Sequence, residues 1–439
     1  MNQRHAASGH PSWCDREGFR ATERAARRCT VLAVMGASGL LFAATAQAAD
    51  WQYRPVVTVA SEYDDNPGLV EDDFDPGEFA GAFLDAAIDL RRRTPLSEIL
   101  ITPAVDISRY PGEADENTER LNLDVAGRYR GQRSDWRLFG RIEQVDVRDG
   151  AIEDPDFDDS GIEGVEGNEE TDTGNLDIQR KRTRIFLRPR FEYSVTQRGF
   201  VTVSAALQDV DYDKDELGTD VDFTSARAAV GAGYRFSEKD RFSIEAVASN
   251  FETDPAPETG RTRNETDTYG ARLRWDRSIS EISRFYVWVG PERSDITDES
   301  PATPEERTED TFSWETGYDR RAERSRIRFS LGQSTQPTGA GFVTERNRIR
   351  ASFDYRLGPR WEMGVALFAQ ATTRLGGEDD LDDRDYLSGR INLAYRLTRA
   401  WKIEGNYNGR FQDEADRPGD AFSNAVYIGM HYEPPLRNR

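Results

Sequence analysis

Between Glu345 and Phe411 three runs change character at every second residue. They are Arg348-Ile349-Arg350-Ala351-Ser352-Phe353-Asp354-Tyr355-Arg356-Leu357, Trp361-Glu362-Met363-Gly364-Val365-Ala366-Leu367-Phe368-Ala369-Gln370 and Trp401-Lys402-Ile403-Glu404-Gly405-Asn406-Tyr407-Asn408-Gly409-Arg410. Strand side chains point alternately to opposite faces, so each run predicts a strand with one apolar and one more polar face. The apolar faces carry no charge, and the polar faces are rich in arginine. A soluble sandwich would put the apolar face inside and the charges in water. A membrane barrel does the reverse, with apolar side chains toward lipid and polar ones toward the lumen.

The same rule holds along most of the chain. Ile185, Leu187, Phe191 and Tyr193 oppose Arg182, Arg184, Arg188 and Arg190, and Ile327, Phe329 and Leu331 oppose Arg326, Arg328 and Ser330. Ile391, Leu393, Tyr395 and Leu397 oppose Arg390, Asn392 and Arg396. Residues 285–290 are apolar on both faces. One arginine turned to lipid at the bilayer midplane costs about 2–4 kcal/mol, so a face kept free of arginine through many strands is under constraint.

Short turns fall at Arg93–Ser97, Gly131–Asp135, Thr196–Gly199, Ser237–Asp240, Ser278–Ser283, Arg321–Ser325, Gly358–Arg360 and Thr398–Ala400. Trp136, Phe200, Phe242, Phe285, Trp361 and Trp401 follow them closely, as a girdle at one membrane edge requires. Longer connections, most of them rich in Asp, Glu, Gly and Pro, alternate with these turns. They include Asp64–Gly77, Asp149–Asn175, Thr253–Thr266 and Ser294–Asp310. An opening strand, eight tight hairpins and a closing strand make about 18 strands, within a range of 16–18, and an even number suits a bacterial single-chain barrel. The expected fold is an all-β antiparallel transmembrane β-barrel with short periplasmic turns and long acidic extracellular loops.

Composition by itself suggests a soluble or partly disordered acidic protein, and it leaves a membrane barrel open, since barrel strands hide half their residues from lipid. The chain has 439 residues, 31% of them charged, a net charge of −22 and a mean hydropathy of −0.75. After the N-terminal segment no run of roughly 18 apolar residues occurs, which argues against a spanning helix but not against spanning strands. Arg16, Arg20, Arg24, Arg27 and Arg28 precede the apolar run Val31–Ala44 and the small-residue site Ala46-Gln47-Ala48. Residues 1–48 therefore read as a cleavable signal peptide and 49–439 as one barrel domain, destined for a Gram-negative outer membrane. The mature chain would hold 52 basic and 77 acidic side chains, a net of −25. Both cysteines, Cys14 and Cys29, fall in the leader, and His431 is the only histidine beyond it. This speaks against thiol chemistry, histidine triads and histidine-rich metal sites. No catalytic residue, cofactor or nucleic-acid partner is expected.

The candidate functional set is the arginines of the polar faces. Arg182, Arg184, Arg188, Arg190, Arg272, Arg274, Arg326, Arg328, Arg348, Arg350, Arg390 and Arg396 would bind anionic substrate in the lumen. A guanidinium stays charged and offers a planar fork to carboxylate or phosphate. The bland alternative is a network of arginines and inward acids that stiffens the wall. The acidic connection containing Asp154, Asp156 and Asp158 is a weak candidate for a metal loop, because its glycine and closing glutamate are misplaced for a calcium hand. Asp149–Asn175 is also long enough to fold into a lumen as a constriction.

The opening of the mature chain, Val57-Thr58-Val59-Ala60-Ser61-Glu62-Tyr63-Asp64-Asp65-Asn66, resembles the first strand of the second beta-barrel porin family. Hairpin arms that end in Tyr-Arg-Leu or Tyr-Arg-Phe (Tyr355–Leu357, Tyr395–Leu397, Tyr234–Phe236) resemble it too. The resemblance implies an outer-membrane barrel of a kind often associated with exopolysaccharide or capsule production, and it brings no catalytic residues. The final strand ends in an aromatic, Tyr432, as assembly signals of outer-membrane proteins do, but Glu433–Arg439 runs on past it. Expected partners are outer-membrane lipid, the barrel assembly machinery and an anionic polysaccharide or small anions. The function expected first is an outer-membrane channel for export of an anionic exopolysaccharide; a general diffusion porin and a non-conducting structural barrel are the alternatives.

Overall fold

A computed structural model describes residues 51–70, 78–111, 117–146, 160, 162, 181–213, 221–254, 263–299, 304–338, 342–375, 383–415 and 419–438. Residues 1–48, expected as a signal peptide and containing Cys14 and Cys29, and the acidic run Asp154, Asp156 and Asp158 lie outside the described residues. Ala48–Arg439 form one unit.

The described strands are β1 (Trp51–Asp64), β2 (Phe79–Arg93), β3 (Ser97–Arg109), β4 (Glu119–Arg130), β5 (Ser134–Asp146) and β6 (Lys181–Ser194). They continue as β7 (Gly199–Tyr212), β8 (Asp222–Arg235), β9 (Asp240–Asp254), β10 (Arg263–Ser280), β11 (Ser283–Glu299) and β12 (Pro304–Arg321). The last are β13 (Ser325–Pro337), β14 (Val343–Arg356), β15 (Trp361–Arg374), β16 (Arg384–Arg396), β17 (Trp401–Glu414), β18 (Asp420–Tyr432) and the two-residue β19 (Arg437–Asn438). Each strand from β1 to β18 pairs antiparallel with the next, and β1 pairs with β18 from Val57↔Tyr432 to Asp64↔Ala425. The ladder is therefore closed and 18 strands round. Closure gives every central backbone N–H and C=O a partner without water, the condition for crossing hydrocarbon. Eighteen tilted strands leave an interior too wide for side chains alone to fill.

Exposure is inverted relative to a soluble core. Ile428, Ile244, Val230 and Ile391 are 64%, 61%, 59% and 54% exposed, whereas Arg182, Arg184 and Arg346 are 1% exposed. A sandwich would have sequestered the first group. On β10 the outward face carries no charge between Asp267 and Arg277, and on β12 none between Asp310 and Arg320. Each interval is ten residues. At ~3.3 Å per residue and a tilt of ~40° it spans about 25 Å, the height of a lipid-facing band.

The band is edged at the short-turn end by aromatics. Trp136, Phe242, Trp361 and Trp401 are exposed on the outer face. They pack across strands, with ring centroids 4.1 Å apart for Trp136–Phe191, 4.8 Å for Trp361–Tyr395 and 4.7 Å for Trp401–Tyr432. Phe200 departs from the girdle expectation. It is 2% exposed and faces the lumen, because Gly199 ends the turn one residue earlier and Val201 takes the outward position.

The connection expected at Ser294–Asp310 is also corrected. Here β11 runs to Glu299 and β12 starts at Pro304, paired Glu299↔Pro304. Apart from the buried Ile296, these strand ends are polar on both sides, with Arg293 near Asp295 and Thr308 donating to Asp295 at 2.9 Å. No apolar face marked them as strand, since they lie beyond the apolar band.

The tail past Tyr432 has a defined seat. β18 stops opposite Val57, and β19 pairs with the preceding part of β1 through Gln52↔Asn438 and Tyr53↔Arg437. It thereby covers a strand edge that would otherwise be open. Arg54 binds both Glu433 and Asp89, and His431 Nε2 lies 3.4 Å from Glu433 Oε2. The hydrogen bond from His431, with the charge of Arg54 beside it, holds the Glu433 carboxyl down at about 2 against the opposing effect of burial.

Two outcomes follow from this architecture. Ile391→Arg, on the outer face, should destabilise the folded barrel in lipid by about 2–4 kcal/mol, while Asn392→Arg, one residue on and facing the lumen, should cost less than about 1 kcal/mol. Denaturant titration in vesicles measures both. The folded value of Glu433 lies below its ordinary 4.5, so the clasp contributes fully above that pH and weakens as pH falls toward about 2. The stability difference between the parent and Glu433→Gln should shrink on acidification over that window.

Candidate functional site: the charged lumen

The inward positions of successive strands stack side by side because strand register keeps parity around the barrel. On β6 they are Arg182, Arg184, Phe186, Arg188, Arg190 and Glu192, set opposite Val145, Glu143, Arg141, Phe139, Arg137 and Asp135 of β5. Arginines and acids from several strands thus meet in the lumen, and three carboxylates act as hubs.

Glu143, 3% exposed, lies 3.4 Å from Arg182, 3.7 Å from Arg184 and 3.7 Å from Arg120. Glu292, 4% exposed, takes Arg272 at 2.7 Å, Arg227 at 3.1 Å and the Ser313 hydroxyl at 2.8 Å. Glu192 accepts an N–H from Arg235 and one from Arg241, each at 2.8 Å, and a second Arg241 N–H at 3.4 Å. A buried charge lacking such partners would cost several kcal/mol, so these hubs keep the inner wall soluble in itself.

Aromatic side chains that face inward are roofed by arginine. Arg241 lies 3.8 Å over the Phe200 ring and Arg235 5.0 Å, while Arg272 sits 4.2 Å over Trp288. Arg274 covers Tyr286, Arg188 covers Phe186 and Arg350 covers Phe368. A guanidinium over an aromatic face gives that ring a polar partner, which explains how residues 285–290 can be apolar on both sides. Phe285, Val287 and Val289 face out; Tyr286, bonded to Glu315, and Trp288 face in. Gly233 is required here, because a Cβ on it would stand 2.1 Å from Phe200 Cζ.

The twelve sequence-selected arginines all fall on inward positions, but on five different strands. Arg182 and Arg184 are sealed around Glu143. Arg272 serves Glu292, and Arg396 pairs with Glu362 at 2.8 Å near the short-turn rim. Arg348, Arg350 and Arg390 lie on the inner faces of β14 and β16. Arg190, Arg274, Arg326 and Arg328 come together in the lining of one cavity of about 750 Å³ at the short-turn end. Arg137, Arg241, Arg284 and Arg321 also line it and were not singled out from sequence. Parity counted from the outward Trp136, Phe242 and Phe285 would have found the first three.

The long-loop end is different in kind. Leu69, Val210, Phe223, Phe251, Ile296, Phe368 and Tyr386 belong to one buried apolar cluster there. Leu69 is the one non-glycine residue with positive φ, at 49°, among the described residues. It is held by the strand-end motif noted in the sequence. The Asn66 side-chain amide donates to Val70 O and Phe422 O and accepts from the Val70 N–H, while the Asp65 carboxylate accepts from the Asn424 backbone N–H. Asp64 is ion-paired with buried Arg410, and Ser423 donates to it at 2.8 Å. The Tyr-Asp-Asp-Asn step is thus a clasp across the β1–β18 seam. Ile162, from the connection expected as a constriction, is 2% exposed against Ala126, Phe139 and Phe186 of the inner wall.

No family model matches the chain, and no curated protein does. Among solved structures it is similar to Pseudomonas aeruginosa OccK2 (OpdF), at 11% identity and a TM-score of 0.42 over 88% of this chain and 98% of that one. It is also similar to the outer membrane channel DcaP of Acinetobacter baumannii, at 13% identity and a TM-score of 0.41 over 88% and 97%. Pseudomonas aeruginosa OpdQ matches at 7% identity and a TM-score of 0.41 over 87% and 98%.

Removing one partner of the seam pair strands the other charge in a buried site. Asp64→Ala should lower the unfolding free energy by about 3–5 kcal/mol, read from chemical denaturation of the protein in detergent micelles.

Proposed function

We propose that this chain is a channel of the bacterial outer membrane and that its cargo is anionic. Residues 1–48 serve as the cleaved export signal, the barrel assembly machinery inserts the mature chain, and outer-membrane lipid surrounds the apolar band. The short turns then face the periplasm. The observation that carries the reading is the inversion of the wall: isoleucine, leucine and valine exposed outside, and arginine lining a closed 18-strand interior. A lumen of that kind attracts anions into a space where hydrocarbon walls concentrate the field. The favoured cargo is an acidic exopolysaccharide, whose repeated carboxylates suit repeated guanidinium forks. A general diffusion porin for small solutes is the second reading, favoured by strand number alone, since barrels of 16–18 strands leave an aqueous path.

Planar-bilayer recording tests this. Under a salt gradient the parent protein should show a reversal potential of anion-preferring sign. The combined variant Arg348→Gln, Arg350→Gln, Arg390→Gln should move that potential toward the cation side. A silent barrel or an unmoved potential would remove the guided-anion reading. Loss of secreted polymer with normal small-solute uptake in a deletion strain would favour the polysaccharide over the general porin.

A further inference from the structure

The eight short turns share one backbone contact. In each, the carbonyl of the last turn residue accepts an N–H from the short-turn end of the next strand round the barrel. Arg133, Arg198, Arg324 and Arg360 accept theirs at 2.7, 2.9, 2.8 and 2.7 Å, from Ser194, Arg235, Arg356 and Arg396. The last turn residue is therefore one equivalent position repeated around the rim. At five of the eight turns it is basic, Lys239 being the fifth, and all five are exposed. Neighbouring turns stand two strands apart, about 10 Å. Six of the eight strands that run into a short turn also end in arginine.

Turn geometry does not require a basic side chain at that position. Turns select Gly, Pro, Asn, Asp and Ser, and three of these are built by a hydroxyl at their start. Thr196 Oγ1 accepts the Gly199 N–H at 2.7 Å, Ser237 Oγ the Asp240 N–H at 3.0 Å and Thr398 Oγ1 the Trp401 N–H at 3.1 Å. Packing does not require it either, since the side chains are exposed. The turns hold six basic and three acidic residues, in a chain whose net charge is −22. Exposed charges at the described strand ends of the long-loop side are mostly acidic, as at Asp295, Glu306, Asp385 and Asp413, although Arg109, Lys181 and Arg293 stand there too.

The depth of the basic rim says what meets it. Arg360 Nη1 donates to the Tyr395 hydroxyl at 3.1 Å, and the Tyr395 ring lies 4.8 Å from Trp361 on the outer wall. Arg277 stands 6.0 Å from the Trp275 ring, which stacks on Phe242, and Arg92 stands 5.9 Å from Trp51. Guanidinium groups thus border the aromatic girdle on its turn side. Tryptophan and tyrosine mark the membrane–water interface, so these cations sit at the level of lipid phosphates. We propose that the short-turn rim binds the phosphate headgroups of an anionic phospholipid leaflet and so gathers such lipid around the barrel. The planar guanidinium fork suits phosphate, and each basic residue near an anionic surface favours it about fivefold. The proposal rests on the reading of the chain as an outer-membrane barrel with its short turns toward the periplasm; it needs no conduction.

The test places the mature full-length protein in mixed vesicles and follows tryptophan quenching by phospholipids brominated in their acyl chains. Brominated phosphatidylglycerol should compete for the wall about fivefold better than brominated phosphatidylcholine, and raised salt should shrink that preference. The variant Arg133→Gln, Arg198→Gln, Arg324→Gln, Arg360→Gln should bring the two lipids within twofold of each other. The same four positions changed to lysine should keep most of the preference, which separates loss of charge from loss of fold. Lys181→Gln, Arg293→Gln, at the other end, should leave it unchanged. Equal quenching by the two lipids in the parent, or a preference that survives in the glutamine variant, would overturn the proposal alone. Absence of quenching by either lipid would remove the membrane reading and the proposal with it. Co-sedimentation with peptidoglycan sacculi that the glutamine variant abolishes, in a protein without lipid preference, would assign the rim to an anionic glycan and overturn the lipid assignment.

Discussion

The structure depends on one constraint: a backbone ladder that must satisfy itself without water and then present only hydrocarbon outward. An open sheet would leave β1 and β18 with unpaired edges in lipid. Their pairing from Val57↔Tyr432 to Asp64↔Ala425 removes those edges. The β19 tail and the Asp64–Arg410 pair secure the two ends of that seam. Once the outer face is committed to Ile, Leu, Val and aromatics, every charge in the spanning region has to turn inward.

That inward turn creates its own problem, which the chain meets with arginine. Lysine would bring a compact, strongly hydrated charge; arginine is flat, more weakly hydrated and able to serve several acceptors. Glu143, Glu192 and Glu292 each hold two or three guanidinium groups, and members of those sets lie over aromatic rings: Arg241 over Phe200, Arg272 over Trp288 and Arg184 over Phe186. Charge pairing and aromatic stacking are therefore parts of one packing solution. The lumen is uneven as a result, with carboxylate hubs in the wall, an arginine-lined cavity at the short-turn end, and an apolar cluster beside buried ion pairs such as Asp64–Arg410 at the long-loop end.

How far the sequence could be read depended on whether a residue's environment repeats with the strand. Lipid acts equally on every strand, so Ile391, Leu393 and Tyr395 reveal their face by period alone. The eight short turns are local and were equally legible. The polar ends of β11 and β12 were not, because strands standing clear of lipid need no apolar face and Ser294–Asp310 resembles a loop. Phe200 was misplaced because an aromatic after a turn can face either way, and its inward seat depends on Gly233 and Arg241 from neighbouring strands.

Sequence alone determined the antiparallel barrel class, the strand count near 18 and the inward direction of the arginines, since all three follow from period-two patterning against a uniform solvent. Only the tertiary structure decided which arginines meet. Register sets Arg137 against Arg190 and Arg321 against Arg326, and closure brings Asp64 to Arg410 across 346 residues of chain. Pairing between strands is a property of register and curvature, to which alternation within any one strand is blind.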